Sequence, residues 1–189
     1  MTQVNDRPFL SDIEELRRRA QQDMERGAVT SAYGLDLEQA IRVLNQVLAS
    51  ELVCVLRYKR HHYMAKGIHA EPVAAEFLQH ANDEQLHADQ VALRITQLGG
   101  EPNFDPEGML SRSVSKYHEI GAGQQTLIDM IKEDLVAERV VIMWYAEIAR
   151  WFGDGDFTSR RLMEELLAKE EEHADDLANL LAELNTPGA

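Results

Sequence analysis

Two short stretches decide how this chain is read: Glu84-Gln85-Leu86-His87 and Glu170-Glu171-Glu172-His173. Each sets a carboxylate and an imidazole three residues apart, which on a helix puts both on one face. Composition alone makes one such pair unremarkable in a chain this rich in glutamate, so the surroundings decide. The first pair lies in the series Phe77, His80, Glu84, His87, Val91, Ile95 and Leu98. The second lies in Met163, Leu166, Glu170, His173, Leu177, Leu180 and Leu184. Both follow the three-and-four repeat of an amphipathic helix, with the Glu-His pair in the middle of the core-facing stripe.

Two more segments carry the same period. One has Ile41, Leu44, Leu48, Glu51, Val55, Tyr58 and His62; the other has Ile128, Ile131, Leu135, Glu138, Ile142, Tyr145 and Ile148. Each stripe is again interrupted near its centre by one glutamate. Four long helices are therefore expected. The first is opened by Asp36 with Gln39 and runs to about Lys66, before Gly67. The second has Pro72 at its first helical position and ends at Gly99-Gly100. The third runs from Thr126 to Phe152 and the fourth from Phe157 to Leu184, with Gly153-Asp154-Gly155 between them.

The connections set the topology. The first and second helices, and the third and fourth, are joined by short loops and so form antiparallel hairpins. Residues 101–125 carry Pro102, Pro106, Gly108, Gly121 and Gly123, with a short helix expected near Met109–Tyr117. This connection is long enough to run the length of a bundle. Ahead of the bundle, Ser11 and Glu14 form a capping box for a charged segment reaching about Glu25 and ending at Gly27. The expected organisation is a tail and extra helix over residues 1–35 and a bundle over 36–189. The fold class is all-α, an antiparallel four-helix bundle with one long crossover between its second and third helices.

Composition narrows the function. The 189 residues suffice for one domain with a core, and their formal charge of −14 argues against direct binding of DNA, itself a polyanion. Arg17-Arg18-Arg19 reads as a solvated helix face. A single cysteine, Cys54, precludes an intrachain disulfide and a Cys₄ site and suits a reducing compartment. No long apolar stretch or N-terminal signal region is evident in the sequence, so no membrane association and a soluble cytoplasmic protein are expected.

Four carboxylates facing one another in a core repel, and each loses hydration worth several kcal/mol, on the order of the penalty for any buried ion. Protonation relieves part of this. Two divalent cations would balance four carboxylates, with two imidazoles completing the set. A buried polar network without metal is the competing arrangement. Carboxylate and imidazole ligands without thiolate suit iron or manganese, exclude the usual iron–sulfur cluster and leave zinc open.

At these residues the sequence resembles the ferritin-like superfamily, and bacterioferritin most closely. The matching stretches are Ala49–Tyr58, Asp83–Phe104, Asp134–Glu138 and Glu170–Leu177. The resemblance implies a di-iron ferroxidase with two iron ions per subunit, oxidising Fe²⁺ with O₂ or H₂O₂ for iron storage or detoxification. It implies Glu51 and Glu138 as terminal ligands, Glu84 and Glu170 as bridging ligands, and His87 and His173 as one ligand each. Tyr58 matches the family's tyrosine beside the metal pair, although a core aromatic would also fit. Asp134 resembles the family's carboxylate that orients a ligand histidine. Gln85 stands where bacterioferritin has its haem-binding methionine, which argues against haem. The extra N-terminal helix, the long connection and the short tail after His173 point to a homo-oligomeric shell of twelve subunits, Dps-like, rather than twenty-four.

Two other classes compete. One is a di-metal oxidase or peroxidase that stores no iron, of the rubrerythrin or manganese catalase kind; for rubrerythrin the Cys₄ domain is missing. The other is a non-enzymatic bundle such as a DNA-protecting shell. His61, His62 and His80 suggest ligands where iron enters, yet they also read as ordinary polar or half-buried residues. Cys54 reads as a small buried hydrophobe, and Trp144 and Trp151 as packing or interface aromatics.

Overall fold

The computed structural model describes residues 12–22, 24–117 and 126–185, and all regular structure among them is helical. Helix α1 (Ile13–Gln22) buries none of its residues, and a single tight turn (Met24–Arg26) follows it. Ser11 lies outside the described residues; within them, Asp12 Oδ1 accepts the Glu14 amide at 2.9 Å. The bundle consists of α2 (Leu37–Met64), α3 (Ala70–Gln97), α5 (Leu127–Phe152) and α6 (Phe157–Leu184), with the one-turn α4 (Met109–Arg112) in the long connection.

Side-chain caps start three of the four long helices. Asp36 accepts from the Gln39 amide, Thr126 and Asp129 form a reciprocal capping box, and Asp156 accepts from the Ser159 amide. The α3 start differs from expectation. It begins at Ala70 after His69, which makes no side-chain cap, so Pro72 sits third in the helix. It is still in the first turn, where an amide has no intrahelical acceptor to lose.

Pairings between helices fix their directions. Arg57, Tyr58 and Glu51 of α2 meet Asp134, Glu138 and Tyr145 of α5, in opposite chain order. Asp83 and Arg94 of α3 meet His173 and Asp156 of the α6 end in the same inverted way. The connection accordingly travels along α2. Asn103 reaches Asn45, the Val114 amide reaches Ser50, and Ser115 accepts from Arg57. Such a path returns the chain to the far end of the bundle before α5 begins.

The apolar core is divided. One cluster includes Leu44, Leu48, Val91, Ile95, Tyr145, Phe152, Met163 and Leu166; the other includes Tyr58, Val73, Phe77, Ile131, Leu135 and Leu177. Between them every long helix contributes glutamate or histidine. The sequence suggested no apolar stretch long enough for a bilayer, whereas α2 has the length and composition of a membrane span, with mean hydropathy 1.3. Many of its apolar side chains are buried in the bundle, although Leu56 is exposed, and it also carries the buried Glu51 and Arg57.

At the first cluster's end, Asp156 ties three elements together. It caps α6, accepts both 2.9 and 3.0 Å contacts from Arg94 Nη2, and accepts from the Tyr33 hydroxyl at 3.1 Å. Replacing it with Ala leaves the buried Arg94 guanidinium without its counter-charge. Asp156→Ala is expected to cost about 3–5 kcal/mol, the range for breaking a buried ion pair. Urea denaturation of the metal-free protein measures it, with Arg160→Ala on the surface as the control that changes little.

Candidate metal centre

The helical repeat brings all six expected residues to one level of the bundle. Glu51, Glu84, His87, Glu138, Glu170 and His173 are all buried there. They fall into two overlapping sets: Glu51, Glu84, His87 and Glu170, then Glu84, Glu138, Glu170 and His173. Within each set the potential ligand atoms lie within 4.8 Å of one another.

Glu84 and Glu170 belong to both sets, and each divides its two oxygens between them. His87 Nδ1 is 3.3 Å from Glu84 Oε2 and 3.1 Å from Glu170 Oε1. His173 Nδ1 is 3.6 Å from Glu84 Oε1 and 3.2 Å from Glu170 Oε2. Glu51 Oε2 completes the first set at 3.5 Å from His87 Nδ1. Both oxygens of Glu84 and of Glu170, Glu138 Oε2, and Nδ1 of both histidines are buried without a hydrogen-bond partner among the described residues. Buried polar atoms are ordinarily paired, so a group of orphans aimed at one another has the donor chemistry of a cation site.

The remaining oxygen of each outer glutamate is held by a tyrosine. Tyr58 of α2 donates to Glu138 Oε1 of α5, and Tyr145 of α5 donates to Glu51 Oε1 of α2. Burial first, and then the carboxylates nearby, push both phenols well above their usual range, so both remain donors. Tyr145 reads from sequence only as a core position. The overlooked signal is that Glu51 to Tyr58 and Glu138 to Tyr145 share one spacing.

Asp134 has different partners from those the resemblance implied. Its oxygens accept from Arg57 Nε at 2.8 Å and meet His61 Nδ1 at 2.7 Å, and neither is one of the six. Outside the six, a carboxylate that meets a site histidine is Asp83, 3.3 Å from His173 Nε2. His61, not His62, is the buried residue of that pair; His62 instead meets the Ala74 carbonyl at 2.7 Å. The helical step from Tyr58 inward is three residues here, not four. His80 is likewise fully buried, 3.2 Å from the Tyr58 hydroxyl. Cys54 is buried as expected, with Arg57 at 3.4 Å and Ser115 at 3.6 Å from its sulfur.

Electrostatics follow from this crowding. Burial, then the charge of Glu84, pushes Glu51 and Glu138 well above the usual carboxylate range. Burial acts in the same direction on Glu84, but contacts with Glu51, His173 and His87 outweigh it and hold Glu84 well below that range. Burial opposes the charged form of both histidines. Glu170, Glu51 and Glu84 outweigh it at His87 and push that imidazole far up; Glu170 and Glu84 push His173 up to about 11. The metal-free site thus favours protons on Glu51, Glu138 and the two imidazoles, groups a cation would need deprotonated. Loading with Zn²⁺ is expected to release protons and to weaken as pH falls, because protons then compete better for the same atoms. Calorimetric titration in buffers of different ionisation enthalpy measures this; uptake with no proton release would contradict the arrangement.

Known proteins resemble this chain over most of its length. The family described as ferritin-like domain matches residues 41–186. The chain is 31% identical over 146 residues to a nutrient stress-induced DNA-binding protein of Nostoc sp., covering 74% of this chain and 75% of that protein. A dodecameric thioferritin, the bacterioferritin-related protein of Bacteroides fragilis, superposes with TM-score 0.75 at 28% identity, covering 90% of this chain and 94% of its own. Bacterioferritin from Desulfovibrio desulfuricans, with its di-iron site, superposes with TM-score 0.68 at 27% identity, covering 80% and 83%. A bundle of this topology, with this family matched over most of its length, belongs to the ferritin-like domain family.

Proposed function

We propose that this protein is a ferroxidase of the ferritin-like kind, serving iron storage or detoxification. The observation that carries the reading is the pair of four-residue sets sharing Glu84 and Glu170, built only from carboxylates and imidazoles. In it, Glu51 and His87 hold one Fe²⁺, Glu138 and His173 hold the other, and Glu84 and Glu170 span both. The two Fe²⁺ ions are substrate. Each gives up one electron, so that O₂ with two protons becomes H₂O₂, or H₂O₂ with two protons becomes two waters. Manganese and zinc fit the same ligands.

The chain's own contribution is placement and proton control. Tyr58 and Tyr145 occupy one oxygen of each outer glutamate, leaving the other for a cation. We assign Tyr58 the further role of a one-electron donor when a single Fe²⁺ meets H₂O₂. Fe²⁺ and Tyr58 give one electron each, and H₂O₂ takes the phenolic proton, relayed by Glu138 Oε1, with one further proton to become two waters, leaving Fe³⁺ and a tyrosyl radical. Tyr58→Phe is then expected to abolish a tyrosyl radical signal in freeze-quenched spectra while Tyr145→Phe retains it.

The assembly in this reading is a homo-oligomeric shell, with twelve subunits favoured over twenty-four. The dodecameric neighbour supports it, being alike over more of this chain than the bacterioferritin structure is. The acidic balance supports a shell that does not bind DNA directly. The reading includes no haem ligand at position 85, where Gln85 donates to Asp89 at 3.0 Å. A cytoplasmic setting belongs to the same proposal and is supported by the single buried cysteine.

Glu138→Ala tests the central claim. Rapid Fe²⁺ oxidation, followed by stopped-flow absorbance, should fall by at least about 100-fold, the upper range for disturbing a metal's supporting groups. The circular dichroism of the helices should not change. Unaltered oxidation kinetics would overturn the assignment, and a native mass of one or two subunits would reject storage in a shell.

A further inference from the structure

A third group of possible ligands lies outside the paired sets. It consists of Glu76 and His80 on α3 and Asp176 on α6, whose ligand atoms lie within 4.8 Å of one another. His80 Nε2 is 3.2 Å from Glu76 Oε1 and 3.7 Å from Asp176 Oδ2. The His80 side chain is 0% exposed, while those of Glu76 and Asp176 are 29% and 40% exposed. The imidazole is therefore sealed in the bundle and its two carboxylates reach solvent.

Hydrogen bonding on the inner side decides the state of the ring. The Tyr58 hydroxyl gives its proton to Glu138, so towards His80 Nδ1, 3.2 Å away, its oxygen is the acceptor. The Nδ1 atom then carries the hydrogen, and the neutral ring presents the Nε2 lone pair to the outside. That atom is buried and has no hydrogen-bond partner among the described residues. A lone pair facing two carboxylates is an arrangement that a cation between them would satisfy. The ring is also fixed in orientation by stacking on His173, with centroids 4.0 Å apart and planes at 21°.

We propose that Glu76, His80 and Asp176 form a third, mononuclear site for a divalent first-row transition cation, with water in its open positions. One imidazole and two carboxylates suit Fe²⁺, Mn²⁺ or Zn²⁺ by ligand type. The site is one-sided. The residue in α6 that corresponds to His80, four positions before the Glu-x-x-His glutamate, is Leu166, and the counterpart of Glu76 is Leu162. Among the described residues, no equivalent cluster therefore stands at the His87 end. His80 bonds Tyr58, which bonds Glu138, so the third cation would connect to one metal position of the pair and not to the other.

The test is Co²⁺ binding to the metal-stripped, assembled full chain, followed by its visible absorption and by elemental analysis after gel filtration. The double variant Glu76→Gln/Asp176→Asn changes only half-exposed side chains and should bind one ion fewer per chain than the unaltered protein. The Glu138→Ala variant should lose ions of the pair yet keep the one that the double variant loses. Co²⁺ stoichiometry in the double variant equal to that of the unaltered protein would overturn the third site. Failure of Glu138→Ala to alter binding would instead count against the paired site, so the two readings fail separately. Anomalous scattering at the cobalt edge should place an ion bonded to His80 Nε2; a peak absent there, with His80 Nε2 donating a proton to Glu76, would also overturn the proposal.

Discussion

Carboxylates crowded into an apolar interior repel each other and give up hydration, and this bundle is organised around meeting that cost. Glu51, Glu84, Glu138 and Glu170 occupy one layer across the four helices, between two apolar clusters that never merge. Each remedy in the structure addresses the layer. Two phenols take one oxygen apiece from the outer glutamates, two imidazoles sit between the inner ones, and protons remain on groups that would otherwise be charged. What these remedies leave over is a set of atoms pointing at one another. That remainder is the chemistry a pair of cations can satisfy, and no apolar repacking of the same helices would provide it.

The sequence made the helices and their inward faces legible because the three-and-four repeat is strong and long, and because Asp36 with Gln39 announces one of the starts. It placed the six polar residues in the stripes without further help. It was less informative about what those residues touch. Tyr145 resembled any core aromatic, since its partner Glu51 lies on another helix. Asp134 looked like a support for a ligand histidine, but its partners are Arg57 and His61, neither of them one of the six. Arg57 itself gave no warning: an arginine in an acidic chain reads as surface, whereas this one is buried against Asp134, Ser115 and Cys54. Pairings across helices depend on which rotamers meet, and periodicity along one helix does not encode that. The shift from His62 to His61 is a smaller case, where a stripe step of three rather than four exchanges the buried residue.

The hairpins α2–α3 and α5–α6 relate to each other by an approximate twofold. Glutamate and tyrosine recur at equal spacing in α2 and α5, and Glu-x-x-His recurs in α3 and α6. The symmetry fails outside the six residues. Around Glu138 and His173 there is a polar surround of His80, His61, Asp134 and Arg57. Around Glu51 the corresponding positions are apolar, with Val47 in place of Asp134 and Leu166 in place of His80. Two positions with the same ligand types thus sit in media of different polarity. Since surrounding hydrogen bonds and solvent access tune a metal's affinity and potential, the two halves are chemically inequivalent.

The division of the core into two clusters has a consequence for folding accuracy. Apolar side chains are interchangeable partners, and a bundle held only by leucine-like contacts tolerates one helix sliding a turn along its neighbours. A band of glutamate and histidine at mid-height does not. Shifting α6 by one turn would carry Glu170 into the cluster around Leu166 and Val91 and leave Glu84 facing hydrocarbon. Buried polar residues fix alignment in coiled coils in the same way, at a cost in stability. The layer that suits the chemistry therefore also acts as a vernier, setting the axial alignment of four helices before any ion arrives.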